Sequence, residues 1–388
     1  MQSSSHQHKV ENLGQVFTPS DVVQKMLSLR KNSGSVLEPS AGDGAFWEHI
    51  KDESNSKGYE LDPSVCPKGV VCADFFTSPN EKYSTIIGNP PYVSHANISE
   101  GTKNILYKEY PHLNKHTNLF AYFIDKCIDM LEDDGELIFI VPSDFVSLTS
   151  CGPINEKMKK LGTITYFYDY GDQVVFKGFN PNCCIFRFEK GNFSNKTLVN
   201  DSDVRDFKCN SGNIIFSNST HDCILSDLFE VKVGAASGAN QIFESPHGNE
   251  EFVISSTRKT GKTKKFYFNI VNPYIESKKE ELLKRKVTKF DESNWWKWGR
   301  IHDQRSGARI YVNCKTRVEN PFFTHECENY DGSVLALYPK FDFKDINKVV
   351  DALNSVKWGE LQFKIGGRYI FTQRSLSNCP INKEDFVS

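Results

Sequence analysis

The stretch Val36-Leu37-Glu38-Pro39-Ser40-Ala41-Gly42-Asp43-Gly44-Ala45-Phe46 decides how the first half of this chain folds. An apolar run ends in an acid, and a Gly-x-Gly turn then leads toward a helix. Glycine lets the backbone turn tightly and approach a ligand closely. Open α/β sheets bind ligands outside the carboxyl ends of their strands, which is where this turn falls. The dinucleotide fingerprint Gly-x-Gly-x-x-Gly is absent, so no pyrophosphate cradle follows. Taken alone, the turn is an ordinary strand-to-helix connection.

On either side of it, short apolar runs rich in β-branched residues alternate with amphipathic ones. Strands are predicted at Ser35–Glu38, Gly58–Leu61, Val70–Ala73, Ser84–Gly88 and Glu136–Val141, with two more at Thr163–Tyr168 and Cys184–Glu189. Helical periodicity marks Asp21–Leu29 and Asn118–Leu131, and Asp133-Asp134-Gly135 breaks the second. The order predicts a doubly wound α/β sheet with helices on both faces. Asn192–Asp222 is rich in Asn, Ser and Asp and is read as a linker. After it the pattern is irregular and aromatic-rich, and predicts a smaller mixed domain in which Trp295, Trp296 and Trp298 are core by default.

Acids recur at the predicted strand ends. Gly58-Tyr59-Glu60-Leu61-Asp62 places Glu60 where a carboxylate can accept both hydroxyls of a ribose. Cys72-Ala73-Asp74-Phe75-Phe76 offers an acceptor for an adenine amino group and an aromatic face. Each acid alone is more often a cap or a surface charge. Three in succession, each just after a strand, indicate a pocket for a nucleoside cofactor without a phosphate loop, which S-adenosylmethionine fits. The fourth strand ends Ile86-Ile87-Gly88-Asn89-Pro90-Pro91-Tyr92, the most specific signal in the chain. Its prolines lack N–H groups and fix φ, so the loop is stiff.

With these motifs in this order, the chain resembles the gamma-class, Taq-type N6-adenine DNA methyltransferases over residues 13–190. Gly14-Gln15-Val16-Phe17-Thr18-Pro19 is similar to that class's N-terminal motif, Thr117–Phe123 to the helix after its catalytic loop, and Gly135–Pro142 to its fifth strand. The resemblance implies a Rossmann-like S-adenosylmethionine-dependent sheet followed by a target-recognition domain, with bounds 10–221 and 222–388. It implies that Thr18 and Glu38 contact the methionine part of the cofactor, and that Ser40 and Ala41 line it. Glu60 would bind the ribose, Leu61 and Phe123 sandwich the adenine, and Asp74 with Phe75 read its edge. Asn89 also borders the cofactor.

The implied chemistry suits the residue types. The N6 lone pair of adenine is delocalised into the ring and attacks poorly. The side-chain oxygen of Asn89 and the backbone carbonyl of Pro90 can each accept one amino hydrogen, which favours a tetrahedral nitrogen. Alignment then contributes on the order of 7–11 kcal/mol. A base inside a duplex must first be flipped out, at a cost of a few kcal/mol. Tyr92 would stack on it, with Phe176 at its edge and Phe179 as a rival for that place.

Charge divides the chain. Residues 1–224 hold 21 Lys and Arg against 28 Asp and Glu, a net of −7, whereas 225–388 carry a net of +5 and 256–317 alone a net of +11. Such an excess suggests a polyanion partner. Phosphate or base contacts are expected from Arg258, Lys259, Lys262, Lys264, Arg300, Arg305, Arg309 and Arg317, with His302 also a candidate reader. The stretch Val233–Asn240 loosely resembles the start of a target-recognition region.

The other signals exclude more than they assign. Eleven cysteines without a Cys-x-x-Cys pair argue against a disulfide framework or a metal site. No apolar run approaches the ~20 residues that span a bilayer. Met1–His8 is polar, lacks the apolar core of a signal peptide and is read as a tail. The reading is thus a site-specific adenine methyltransferase on double-stranded DNA, monomeric and cytoplasmic, either nucleoid-associated in a prokaryote or virus-encoded. It serves as the modification enzyme of a restriction–modification system, beside a separately acting endonuclease, or as an orphan methylase. The rivals are an Asn-Pro-Pro-Tyr enzyme acting on RNA or on a protein glutamine, and a DNA-binding relative that has lost the reaction.

Overall fold

The computed structural model describes residues 16–178 and 181–386. Met1–His8, Gly14, Gln15 and Phe179, each given a part above, lie outside the described residues. The chain divides into two compact units. One runs to Asn218 and takes in Ile365–Gly367, and the other holds Ser219–Lys364 and Arg368 onward.

The first unit is built on a ten-stranded sheet. In chain order its strands are β1 (Val36–Glu38), β2 (Ser56–Glu60), β3 (Val71–Cys72), β4 (Tyr83–Gly88), β5 (Leu131–Pro142), β6 (Gly162–Asp169), β7 (Cys183–Lys190), β8 (Lys196–Val199), β9 (Asp203–Asn210) and β10 (Asn213–Phe216). In space they run β10-β9-β8-β6-β7-β5-β4-β1-β2-β3. β3, β2, β1, β4 and β5 are parallel, and β7 is antiparallel to both β5 and β6.

Strand periodicity separates the two faces. Val36, Ile87, Ile138, Ile140 and Ile185 pack with Val22, Val23 and Met26 of helix Ser20–Ser28, and with Phe46, Trp47 and Ile50. Leu37, Ile86, Leu137, Phe139 and Phe186 face the other way, against Phe120, Ile124, Cys127 and Ile128 of helix Leu119–Asp129 and against Met158. Burying each such large side chain contributes about 1.5–3 kcal/mol. Helices therefore cover both faces, as the alternating pattern predicts. Asn118 caps the second helix by accepting from Phe120 N–H.

The expected linker is corrected. Much of Asn192–Asp222 is sheet, because β8, β9 and β10 extend the first unit's edge. Along β8, exposed Lys196 and Leu198 alternate with buried Thr197 and Val199. Asn195, Asn200, Asp201 and Ser211 take left-handed backbone at its turns. Turn residues between short, one-sided strands imitate the composition of a linker.

The second unit carries an antiparallel sheet in the order Phe229–Val233, Val334–Pro339, Ile310–Asn313, Phe322–Phe323. A separate cluster surrounds Trp298, which stacks on Phe252 at 4.9 Å and donates from Nε1 to Tyr267 O at 3.0 Å. Trp295 and Trp298 are core, as expected by default. Among the described residues, no helix is long and apolar enough to cross a membrane.

Candidate active site

The parallel register sets the site. Glu38 ends β1 opposite Gly58 in β2, and Glu60 ends β2 opposite Cys72 in β3. Gly88, opposite Phe139 in β5, is followed by Asn89. The strand-end acids and the tetrapeptide thus emerge along one edge of the sheet. They border a cavity of about 360 Å³, within the range of small-molecule sites. Thr18, Glu38, Ser40, Ala41, Glu60, Leu61, Asp74, Phe75, Asn89 and Phe123 all line it. The glycine turn holds its floor, with Ala41 N–H donating to Tyr59 O at 2.8 Å and Gly42 at a left-handed φ of 55°.

The carboxylates differ in what they already hold. Glu60 Oε2 accepts Gly42 N–H at 2.7 Å, and its Oε1 accepts Asp62 N–H at 2.8 Å. Each oxygen keeps a second lone pair free to accept. Asp74 caps the turn Phe75–Thr77, accepting Phe76 N–H at 2.9 Å, and also accepts Thr102 Oγ1 at 2.7 Å. It is therefore a cap and a cavity residue at once. Glu38 is only 1 % exposed, and its Oε2 has no partner among the described residues. Burial, then the charges of Asp43 and Glu60, push its carboxyl well above the usual range. Phe75 and Phe123 stack at 5.2 Å and 20°.

The tetrapeptide is held from two sides. Asn89 Nδ2 donates to Thr18 Oγ1 at 3.1 Å and to Val16 O at 3.2 Å. Its Oδ1 is buried and has no partner among the described residues. Ser40 Oγ donates to Asn89 O at 3.1 Å. Tyr92 Oη donates to Ile140 O at 2.9 Å, and burial pushes its phenol well above the ordinary range. Phe120 and Phe176 meet the Tyr92 ring edge-on at 6.3 and 6.1 Å.

One expectation changes here. Phe176 is fully buried, so it braces Tyr92 rather than presenting an edge to a ligand. Pro90 is buried and Pro91 lines the cavity. The sequence reading missed Asp43, Asn97, Ile98, Ser99 and Thr102, which also line it. A helix-start signal was available for part of that wall: Ser99 Oγ accepts Thr102 N–H at 3.1 Å and caps Glu100–Glu109.

Most of the basic residues expected to meet a polyanion are exposed. Lys259, Lys262, Arg300 and Arg317 are exposed, although Arg300 Nε donates to Gly234 O at 3.0 Å. Lys264 and Arg305 are exposed as well, and both, with Arg258 and Arg309, are engaged by carboxylates or carbonyls of the protein. Lys264 pairs with Glu244, and Arg258 Nε donates to Asn320 O at 3.0 Å. Arg305 pairs with Glu230 and Asp303 at 2.6 Å each. Arg309 is corrected outright: it is 4 % exposed, pairs with Glu328 at 2.7 Å and donates to the carbonyls of Arg305 and Glu328. His302 is likewise buried, among the rings of Phe252, Phe268 and Tyr330.

A parallel-centred sheet with helices on both faces, an acid at successive strand ends and no phosphate loop defines the S-adenosylmethionine-dependent methyltransferases. Within that class, residues 39–176 match the Eco57I restriction-modification methylase family. It is 25 % identical to the Type II methyltransferase M.HindII of Haemophilus influenzae, over 97 % of this chain and 90 % of that one. To M.HincII of Haemophilus influenzae it is 34 % identical, over 49 % of this chain and 40 % of the relative. Its fold is shared with the Type IIL restriction-modification enzyme MmeI, solved in complex with DNA: the TM-score is 0.64 and the identity 14 %, over 92 % of this chain and 64 % of that one.

The cofactor of this class is S-adenosylmethionine, and the cavity suits it. The buried, unpartnered Glu38 Oε2 needs a cationic or N–H donor, which the cofactor's amino group provides. Glu60 keeps acceptor capacity for hydroxyls, and Phe123 with Leu61 supplies apolar walls for a purine.

Proposed function

We propose that this protein is a site-specific DNA methyltransferase that modifies N6 of adenine in double-stranded DNA. The observation that carries the reading is the buried, unpartnered Oδ1 of Asn89. Val16 and Thr18 take both donor directions of that amide, so its open group is an acceptor. An unmet buried acceptor on a residue that lines the cavity suits a substrate bearing an N–H, and the amino group of adenine presents two. Asn89 Oδ1 takes one, and the Pro90 carbonyl takes the other. Their joint pull favours a tetrahedral nitrogen and frees its lone pair.

Tyr92 binds the ring of the flipped base. Its hydroxyl is tied to Ile140 O, and Phe120 and Phe176 fix the plane of its ring. A stack of this kind contributes roughly 1–3 kcal/mol per base, against a few kcal/mol for flipping. Glu38 and Thr18 hold the methionine part of the cofactor, Glu60 the ribose, and Asp74 with Phe75 the adenine edge. Bound S-adenosylmethionine supplies an electrophilic methyl group on a positively charged sulfur. No strong base is needed beforehand, because the nitrogen's proton becomes acidic only after transfer.

Residues 222–388 act as the target-recognition domain in this reading, with Lys259, Lys262, Arg300 and Arg317 on phosphates or bases. The protein then serves restriction–modification, with or without a separate endonuclease. A labelled-methyl assay offering duplex DNA, RNA and protein tests the proposal. Label in DNA alone is expected, whereas label in RNA or in a protein glutamine would replace the substrate. Failure to bind S-adenosylmethionine in calorimetry would leave only an inactive relative.

A further inference from the structure

The segment that leaves the tetrapeptide comes back to it. Leu119 N–H donates to Val93 O at 2.9 Å, so residues 93–119 form a closed excursion rooted beside Tyr92. Part of that excursion borders a second cavity of about 460 Å³, lined by Tyr107, Tyr110, Lys115 and His116 among others. Neither the cofactor cavity nor the tetrapeptide uses these four side chains.

Their arrangement is specific. His95, three residues after Tyr92, hydrogen-bonds Tyr107 Oη through Nε2. The two rings lie 6.1 Å apart at 24°. His116 stands edge-on to His95 at 5.1 Å, and Lys115 Nζ lies 5.0 Å from the centre of the Tyr107 ring. The scaffold beneath is built. Asn114 Oδ1 accepts His116 N–H at 2.8 Å, and Asn114 O accepts Thr117 N–H at 2.9 Å and Tyr122 Oη at 3.1 Å. Tyr110 packs edge-on against Phe76 and Tyr122.

Charge pairing singles out the same residues. Lys103, Lys108 and His112 each have an acidic partner, in Glu100, Glu109 and Asp125. Lys115 and His116 are exposed and enter no ion pair among the described residues. Aromatic rings interleaved with available cations are the means by which proteins follow a nucleic-acid strand: bases stack, and cations meet phosphates. In a half of the chain with a net charge of −7, such a spot has a particular use.

We infer that this cleft binds a nucleotide flanking the target adenine, its base against the Tyr107–His95 pair and its phosphate at Lys115 and His116. The inference rests on the DNA reading and adds a strand contact made by the catalytic unit itself. Because the excursion is rooted at Val93, the contact would hold the strand at a fixed distance from Tyr92.

The test uses the full chain and a duplex it methylates, with 5-iodouracil placed at successive positions beside the target. Irradiation and peptide mapping are expected to give a cross-link to Tyr107 or His116. The double variant Lys115→Ala, His116→Ala should bind that duplex roughly tenfold more weakly, with a shallower salt dependence. Its calorimetric affinity for S-adenosylmethionine should be unchanged, which shows that it folds. Cross-links confined to other segments, with wild-type affinity in the double variant, would overturn the inference while leaving the DNA reading intact. Tighter binding of single-stranded RNA than of duplex through these residues would also overturn it. A wild-type protein that neither binds nor methylates DNA would remove the DNA reading itself.

Discussion

The acids at the strand ends of the first unit and the cations of residues 256–317 were both read from sequence as binding groups, and they meet different fates. Glu38, Glu60 and Asp74 all line one cavity. Of the eight cations expected to face a polyanion, Arg258, Lys264, Arg300, Arg305 and Arg309 are held by carbonyls or carboxylates of their own unit. The difference teaches that topology places a side chain more securely than composition does. A residue just after a parallel strand has nowhere to go but the sheet's carboxyl edge. A residue counted in a net charge can pair with any acid its fold brings near.

The largest expected effect tests the first set at its centre. Asn89→Ala should lower the rate of methyl transfer by about 10²–10³-fold or more, as for loss of a hydrogen bond specific to the transition state. Calorimetry should show cofactor affinity largely kept. Equal losses in both would place Asn89 in cofactor binding only.

Glu60→Ala comes next. Losing a charged hydrogen-bond partner costs about 1.5–3 kcal/mol, so cofactor affinity should fall by roughly ten- to a hundredfold, with Glu60→Gln between the two. An unchanged affinity would break the claim that strand-end acids define the pocket.

On the side of the cations, Arg309→Ala should destabilise the protein by about 1.5–3 kcal/mol in denaturant unfolding, through its lost charged hydrogen bonds. Lys259→Ala with Lys262→Ala should leave stability alone and reduce the salt slope of DNA binding by about 2. If Arg309→Ala weakened DNA binding without loss of stability, the contrast between paired and available cations would fail.

The smallest effect is a pH dependence. Burial holds the carboxyl of Glu38 above its unfolded value, so the folded state keeps a proton that the unfolded state has released. Stability of the cofactor-free protein should therefore fall as pH rises from the ordinary carboxylate range through the raised value of Glu38. Glu38→Gln should flatten that fall in thermal melts and weaken cofactor binding, because the neutral amide cannot pair with a cationic amino group. A melt whose slope survives Glu38→Gln would assign the titration elsewhere.

Much of the first unit was legible because its strands are apolar on both faces and end in distinctive residues. β1, β2, β4 and β7 lie within two residues of their predicted bounds. β8 to β10 were not legible, since one-sided edge strands joined by Asn and Ser turns carry too little apolar pattern. Much of the second unit escaped for a related reason: its strands are two to six residues long. At the site, all ten expected cofactor residues line the cavity. Phe176 was misplaced because sequence gives its neighbourhood and not its burial. Thr102 was missed because its link to Asp74 spans 28 residues.

The most direct measurement is the identity of the modified nucleoside. Duplex DNA incubated with the protein and S-adenosylmethionine is digested to nucleosides and resolved by mass spectrometry beside an Asn89→Ala control. N6-methyldeoxyadenosine is the predicted product, present with the wild type and absent from the control. Methylation confined to cytosine, or adenine methylation that survives loss of Asn89, would contradict the account.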